Sequence, residues 1–557
     1  MIGVIAKDSE TAAVREFFQL FKTPWEFYAP HRRYDMLLVT SEEFPADACA
    51  KLVMIFNSKA TQWDQDEWSA PQEQSGHEWL MWDGVEFPVY GQIAVLPQRG
   101  RAFIRHAGTR ELTGIVADEP KCRTVRIGYD LFQEVSFLLS QGQPTELGHI
   151  PTFEIHIALL RDCMRDAGLP FVEVPPVAAG SDFMACLTHD VDFTGIRQHK
   201  FDHTMWGFLY RATVGCLLDA LRGKVAWSKV ATNWKAALFL PLVYLGLRDD
   251  FWLEFDRYLE IEKGLGSTFF FLPYKDQPGV WNSKRAPKRR AAKYDLMEIR
   301  SQVQALAQHG CEIGLHGIDA WHDSQKARAE LSRISAITGQ SDVGVRMHWL
   351  YFSENSPRTL QKAGFSYDST FGYNDGVGFR AGTAQAFCPP GAEYLLELPL
   401  HIQDTALFYP GRMKLSESDA LDCCTRLTQF VSLFGGALTI NWHTRSLSPE
   451  RLWGDFYARL LDQIQDYRVW FATAEQVIRW FRMRRELRFD QVEFRGNSLH
   501  VKMSGVKLDG RQPPFVLRVH HPKFRPSNSS ALETELPPYS DIAWKGNAEL
   551  IIQAQAG

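Results

Sequence analysis

Phe183-Met184-Ala185-Cys186-Leu187-Thr188-His189-Asp190-Val191-Asp192 is the stretch that decides how the chain is read. Five apolar residues run without a break into a polar turn. A continuous apolar run of this length, ended by turn residues, reads as a buried strand of a parallel sheet. In such sheets ligands and reacting groups gather at the carboxyl ends of the strands. Asp190 and Asp192 stand at that end, two positions apart. One such carboxylate can hold a metal ion while the other works as a base. A solvated acidic turn is the plain alternative, and only the downstream chain can separate the two.

Downstream, strand and helix patterns alternate. Gly264-Leu265-Gly266 stops an amphipathic helix over 251–263, and 267–272 is a strongly apolar strand. Helices over 296–308, 324–337 and 357–363 alternate with strands over 311–315, 343–346 and 365–367. Later come strands at 394–398, 437–441 and 469–471, with helices over 416–433, 449–465 and 474–485. Repeated βα units imply an α/β fold with a parallel barrel or sheet and helices outside. Three further strand ends carry reactive side chains: His316-Gly317-Ile318-Asp319-Ala320-Trp321-His322, Arg346-Met347-His348-Trp349 and Asn441-Trp442-His443-Thr444-Arg445. A lone His at a strand end is usually structural. Four such ends in one repeated unit point to a site.

The 557 residues are too many for one core, so about two to four domains are expected. Residues 1–150 read as a small α/β accessory domain with an open sheet and neither a G-x-G-x-x-G nor a phosphate loop. Residues 151–180 are a helix followed by a Pro-rich linker. The barrel takes 181–485, with a Trp-rich helical insertion at about 194–260. Residues 486–557 read as a β module whose turn signals are Gly496-Asn497 and Asp509-Gly510.

A composition of 45% hydrophobic and 23% charged residues is ordinary for globular proteins. A net charge of −5 without a long basic run argues against nucleic acid as the main partner. The 17 Trp suit sugar stacking as well as plain cores. Nine Cys, with no C-x-x-C pair, read as reduced thiols, which favours the cytoplasm. Residues 1–8 read as a first strand rather than a signal peptide. The longest apolar stretch, 236–247, contains Pro241 and is too short to span a bilayer. It is a buried helix or, with Trp206, Trp227 and Trp234 upstream, a helix at a membrane surface.

The order of the four motifs, with Ser267-Thr268-Phe269-Phe270-Phe271 after the first, resembles the polysaccharide deacetylase family. These are the NodB-like carbohydrate esterases, of the carbohydrate esterase family 4 type. The resemblance covers about 181–485. It implies a deformed (β/α) barrel and a hydrolase of C–N (non-peptide) bonds that uses one divalent metal, zinc by preference. The substrate implied is an N-acetylated or O-acetylated sugar in a polysaccharide or glycan precursor, as in exopolysaccharide biosynthesis. Position by position, it implies Asp190 as base, Asp192 and His316 as metal ligands, Arg346 as the group orienting the base, and His443 as the acid. His322 is the expected third ligand, and His348 and Trp349 are expected on the substrate-facing wall. A base and an acid with opposed protonation states imply a bell-shaped pH profile.

The sequence departs from the family pattern in places. The usual second motif spaces its histidines i, i+4, but position 320 is Ala and the next His is His322. On a regular helix i and i+6 lie about 240° apart and cannot face one ion. His322 can serve only if His316 ends a strand and a loop turns His322 back. His199 and His203, spaced i, i+4, are a rival pair, with a polar face of the insertion as the plain reading. His348-Trp349 replaces the family's usual Pro in the third motif. Asp368, Asp375, Arg380 and Asp404 fall where the family tunes its acid or lines its cleft, with surface charge as the alternative. Two other functions fit the same residues. One is a degenerate glycan-binding or scaffold protein of a polysaccharide-assembly system, its flanking domains engaging partners. The other is a metal-dependent hydrolase of a different C–N bond, such as a cyclic amide.

Overall fold

A computed structural model describes residues 1–45, 48–64, 77–120, 122–223, 225–253, 255–495, 498–508, 510–523, 538–546 and 549–553. Of the expected turn signals, Gly496-Asn497 and Asp509 lie outside these. The chain forms two compact units. One comprises Ser181–Phe379 and Gly391–Ile478; the other comprises Met1–Gly180, Arg380–Pro390 and Arg479–Gly557.

The unit that contains the acidic stretch is built on a nine-stranded sheet. Phe183–Val191, buried at all nine positions, lies at its centre, as the unbroken apolar run requires. Ser267–Phe271 pairs with it on one side and Ala437–Asn441 on the other, both parallel. Beyond Ser267–Phe271 follow Glu312–Gly317, Val345–Met347, Tyr367–Asp368 and Leu396–Glu397. Ile402–Gln403 extends the opposite side, and Val469–Phe471 pairs with the start of the central strand.

The two edge strands, Leu396–Glu397 and Ile402–Gln403, are separated by four residues, so the sheet must curl until its edges approach. Irregular backbone spans the gap: Leu398 N–H donates to the Asp368 carbonyl (2.8 Å), and His401 N–H to that of Thr439 (3.1 Å). This is the deformed, incompletely closed (β/α) barrel expected. Helices Arg300–Gln308, Ser324–Thr338, Ser356–Ala363, Glu417–Phe434 and Gly454–Gln465 connect the strands.

After the acidic turn comes the helical insertion: His203–Tyr210, a π-helical segment Arg211–Gly215, Cys216–Leu221 and Trp227–Tyr244. It has a small core of its own, including Met205, Phe208, Leu240, Val243 and Trp252. Its outer side leaves Phe201, Trp206, Trp227, Trp234, Leu245 and Leu247 exposed. Among the described residues, no helix is long and apolar enough to cross a membrane.

The other unit is also α/β. Its nine-stranded sheet is parallel through Trp25–Phe27, Ile2–Ile5, Met36–Val39, Leu52–Phe56 and Arg123–Ile127, then continues as antiparallel strands. Phe171–Glu173, within the Pro-rich stretch, pairs antiparallel with Phe515–His520 from the C-terminal region.

Candidate active site

The central strand presents alternate residues to opposite faces. Thr188 and Asp190 take one face, and Arg346 reaches both: its Nη1 donates to Thr188 Oγ1 (2.7 Å) and to Asp190 Oδ1 (3.1 Å). Arg346 is fully buried, and Ser369 takes its other donors, Nε to the carbonyl (3.0 Å) and Nη2 to Oγ (2.9 Å). The second oxygen of Asp190 accepts from Asn441 Nδ2 at 2.8 Å. Asn441 is paired with Thr188 in the sheet register, so two strands fix one carboxylate. Burial alone would raise the Asp190 carboxyl, but His316, Arg346 and His443 hold it below the ordinary range.

His189 points to the other face. Its Nδ1 lies 2.8 Å from the Trp442 carbonyl oxygen and its Nε2 3.0 Å from Glu262 Oε1. Glu262 also accepts from Tyr457 and Ser267. This buried network ties the strand to the helices behind it.

Asp192 lies just past the strand, facing His316 and His348. His316 Nε2 is 3.4 Å and His348 Nδ1 3.2 Å from Asp192 Oδ1. These three residues are the group of metal-ligating side chains found among the described residues. The outer nitrogens of both rings meet backbone carbonyls: His316 Nδ1 that of Arg346 (3.0 Å), His348 Nε2 that of Arg290 (2.9 Å). A carbonyl only accepts, so both outer nitrogens carry protons. In neutral rings the inner nitrogens, 2.9 Å apart, are then both lone pairs. Burial pushes His348 down to about 4, which keeps it neutral. Asp192 Oδ1 completes the set, buried without a hydrogen-bond partner. Three electron-pair donors converging with no proton between them suit a divalent cation, and a second shell that fixes each tautomer is what metal-binding histidines require. Two His and one carboxylate is a zinc-type donor set.

His322 is not brought to this group. Asp323 caps the helix Ser324–Thr338 by accepting from Gln325 and Lys326 N–H. Glu330 accepts from Ile318 N–H and Asp319 N–H, both at 2.8 Å, which folds the intervening loop back on the helix. His322 therefore meets Asp319 (3.3 Å) and stacks edge-on against Trp321. The residue that does lie with Asp192 and His316 is His348, expected only as a wall residue, and not His322, to which the resemblance gave the third donor position. Trp349 follows with φ of 62° and Leu350 with φ of 51°, a left-handed turn that sets the direction of His348 from the end of its short strand.

His443 approaches from the opposite side, its Nε2 3.8 Å from Asp192 Oδ2. Asp404 grips it twice, at Nδ1 (2.6 Å) and at the backbone N–H (2.7 Å), and also accepts from Ser446 Oγ. Burial opposes a charge on His443, but Asp404, with Asp192 and Asp190, raises it to about 9. Asp404 is thus the partner of the acid candidate. Its signal in the sequence was its place between the third and fourth motifs. Asn441 stood in the quoted W-H motif without a role, and nothing local marked Thr188 or Ser369.

Asp190, Asp192, His316, His348 and His443 open into one cavity of about 590 Å³ that Trp349, Gln403 and Tyr409 also line. His199 and His203 lie at its wall, where His199 Nδ1 meets Asp202 at 2.8 Å, and neither belongs to the metal group. Asp375 lines the cavity, Asp368 is buried against Thr370, and Arg380 belongs to the other unit.

No family model matches the chain, and no curated protein matches it. Solved structures do. One from Mycobacterium smegmatis, assigned as a polysaccharide deacetylase, is 19% identical, with 56% of this chain and 95% of that one covered and a TM-score of 0.35. An allantoinase is 15% identical, with 55% and 92% covered and a TM-score of 0.33. A CE4 family pseudoenzyme from Bacillus anthracis is 12% identical, with 53% and 65% covered and a TM-score of 0.24. The solved structures to which the chain is similar thus include polysaccharide deacetylases, an allantoinase and a CE4 family pseudoenzyme.

Proposed function

We propose that the chain is a metal-dependent deacylase that removes an acetyl group from an amino sugar in a glycan or glycan precursor. The observation that supports it is the convergence on one cavity of the Asp192–His316–His348 donors, the clamped carboxylate of Asp190 and the Asp404-backed imidazole of His443. A divalent ion, zinc by preference, would be held by Asp192, His316 and His348 and would supply Lewis acidity toward the acyl carbonyl and toward water.

The chain's own groups divide the proton work. Asp190 is ionised at neutral pH and cannot rotate away, because Arg346 and Asn441 fix its two oxygens. It takes the proton of the attacking water. His443 is protonated at neutral pH, with Nδ1 committed to Asp404, so Nε2 is the nitrogen free to deliver a proton to the departing amine. Trp349 and Tyr409 give the cavity flat apolar faces suited to a sugar ring. The test is acetate release from N-acetylhexosamine glycans by zinc-loaded protein. Release abolished in Asp190→Asn and in His443→Ala, with metal retained by both, supports the reading; no release from any acetylated sugar refutes it. A panel of other acyl and cyclic amides separates this reaction from hydrolysis of a different C–N bond.

The exposed Phe201, Trp206, Trp227, Trp234, Leu245 and Leu247 support a working position at a membrane surface. Co-sedimentation with vesicles, lost in the Trp206→Ser/Trp227→Ser variant, tests it.

A further inference from the structure

The cavity that holds the metal donors is also ringed by cations. Its lining includes Arg211, Lys288, Arg289, Arg412 and Arg451, in addition to the buried Arg290 and Arg445. The buried pair have structural work. Arg290 donates to the Pro278, Ile318 and His348 carbonyls, and Arg445 is bonded to Glu450. Lys293, also on the wall, pairs with Asp276. Of the five others, Arg412 meets Asp375 at 3.9 Å, and among the described residues Arg211, Lys288, Arg289 and Arg451 form no ion pair with a carboxylate. Of the remaining acids of the cavity, Asp190 is committed to Arg346 and Asp202 to His199, and Asp192 belongs to the group of metal donors.

These cations come from three directions. Lys288 and Arg289 belong to the turn whose next residue, Arg290, supports His348 from behind, and Arg289 lies over the Trp349 ring at 5.5 Å. Arg412 and Arg451 belong to the His443 side. Arg412 Nη1 donates to Thr405 Oγ1, beside Asp404, and Arg451 Nη1 to Ser446 Oγ, itself bonded to Asp404. Arg211 comes from the insertion, at the first residue of its π-helical segment, a feature often kept at functional sites. Guanidinium and ammonium groups that line one space from separate elements repel one another, weakly where water screens them, and an anion between them turns that repulsion into attraction. A single carboxylate takes one guanidinium in a fork. Cations reaching one space from three directions suit the several oxygens of a phosphoryl group.

We infer that the substrate is phosphorylated: Arg211, Lys288, Arg289, Arg412 and Arg451 form a subsite for a phosphoryl group attached to the acetylated sugar. This rests on the deacylase reading for the sugar, but the anion subsite can be tested without turnover. Calorimetry with inorganic pyrophosphate is run on the full chain and on Asp192→Ala, whose metal site is disabled, so that binding to a metal is told apart from binding to the cations. Pyrophosphate is expected to bind both equally. In Lys288→Ala/Arg289→Ala the affinity should fall by at least about tenfold, as loss of hydrogen bonds to a charged ligand predicts. Zinc content should stay unchanged. Affinity lost in Asp192→Ala, or kept in the double variant, overturns the subsite. Acetate release then compares a neutral N-acetylhexosamine, its 1-phosphate, and the same phosphate on a long alkyl chain in phosphatidylcholine vesicles. Preference for either phosphorylated form over the neutral sugar supports the inference and identifies the source as soluble or membrane-bound. Turnover of the neutral sugar alone overturns it, and no turnover of any of the three refutes the deacylase reading while the calorimetry still decides the subsite.

Discussion

His316 Nε2 and His348 Nδ1 face each other at 2.9 Å, and the opposite nitrogen of each ring is bonded to a backbone carbonyl. Two lone pairs so placed beside the Asp192 carboxylate repel unless a cation joins them. The expected outcome is that His348→Ala and His316→Ala each lose the bound divalent ion, whereas His322→Ala keeps it, because His322 is engaged with Asp319. Metal content of the purified proteins checks this. A loss confined to His322→Ala would contradict the arrangement.

Arg346 and Asp190 form a buried ion pair at 3.1 Å, with both side chains nearly inaccessible. Breaking such a pair by removing one member strands a charge and costs about 3–5 kcal/mol. Arg346→Met should destabilise the chain by that amount and remove one of the groups that, with His316 and His443, hold Asp190 ionised. Asn441→Leu removes a hydrogen bond to the carboxylate, worth about 1.5–3 kcal/mol, and a longer one that the Asp190 N–H donates to Asn441 Oδ1 (3.2 Å), but strands no charge and should destabilise it less. Denaturant midpoints, read beside acetate release, check both. Equal stability in all three proteins would show that the pair does not carry the strand end.

The fold was legible because its signals are local. The apolar run before Asp190 and the repeated βα pattern each lie within a few residues of sequence. Asp190, Asp192, His316, Arg346 and His443 stood out in the sequence for the same reason, each standing at the end of a recognisable strand. The grouping of His348, rather than His322, with Asp192 and His316 did not stand out. It depends on where the helix after the second motif begins, which Asp323 and Glu330 decide, and on a left-handed turn at Trp349 that no residue type there announces. Asp404 and Asn441 act on partners 39 and 251 residues away, at distances where sequence spacing holds no geometric information.

The high-pH limb of the pH profile should belong to His443. Its raised value, about 9, has Asp404 as the first of the raising groups. The active form is protonated, so activity should persist through neutrality and fall as pH rises through about 9. The same shift contributes stability that is complete below about 6.5, the unfolded value, and is lost as pH rises through the folded one. A divalent ion on Asp192 offsets part of the raising charge, so the loaded enzyme should lose activity at a somewhat lower pH. Asp404→Asn removes the main cause, and its high-pH limb should move down while the low-pH limb, set by Asp190, stays in place. Rate profiles of the two proteins check this. Identical high-pH limbs would remove Asp404 from its role.

Gly344 precedes the strand that delivers Arg346, and its lack of a side chain is what lets Tyr367 pass. A Cβ at that position would lie 2.0 Å from Tyr367 Cζ and 2.4 Å from its hydroxyl oxygen, far inside contact distance. Tyr367 cannot easily yield. It is fully buried, and its hydroxyl donates to Glu312 Oε1 at 2.6 Å. Glu312 in turn accepts from Thr268 Oγ1 and from the Glu475 N–H, so moving the ring disturbs three neighbouring elements. Gly344→Ala must therefore push its own strand outward, and Arg346 with it. Overpacking of this kind costs about 1–3 kcal/mol, and the displaced guanidinium should loosen its hold on Asp190. The expected result is a lowered denaturant midpoint together with a loss of acetate release larger than the stability change explains, with metal content kept. An unchanged midpoint and rate would mean that the strand carrying Arg346 tolerates displacement and that its register with His316 does not set the geometry of the base.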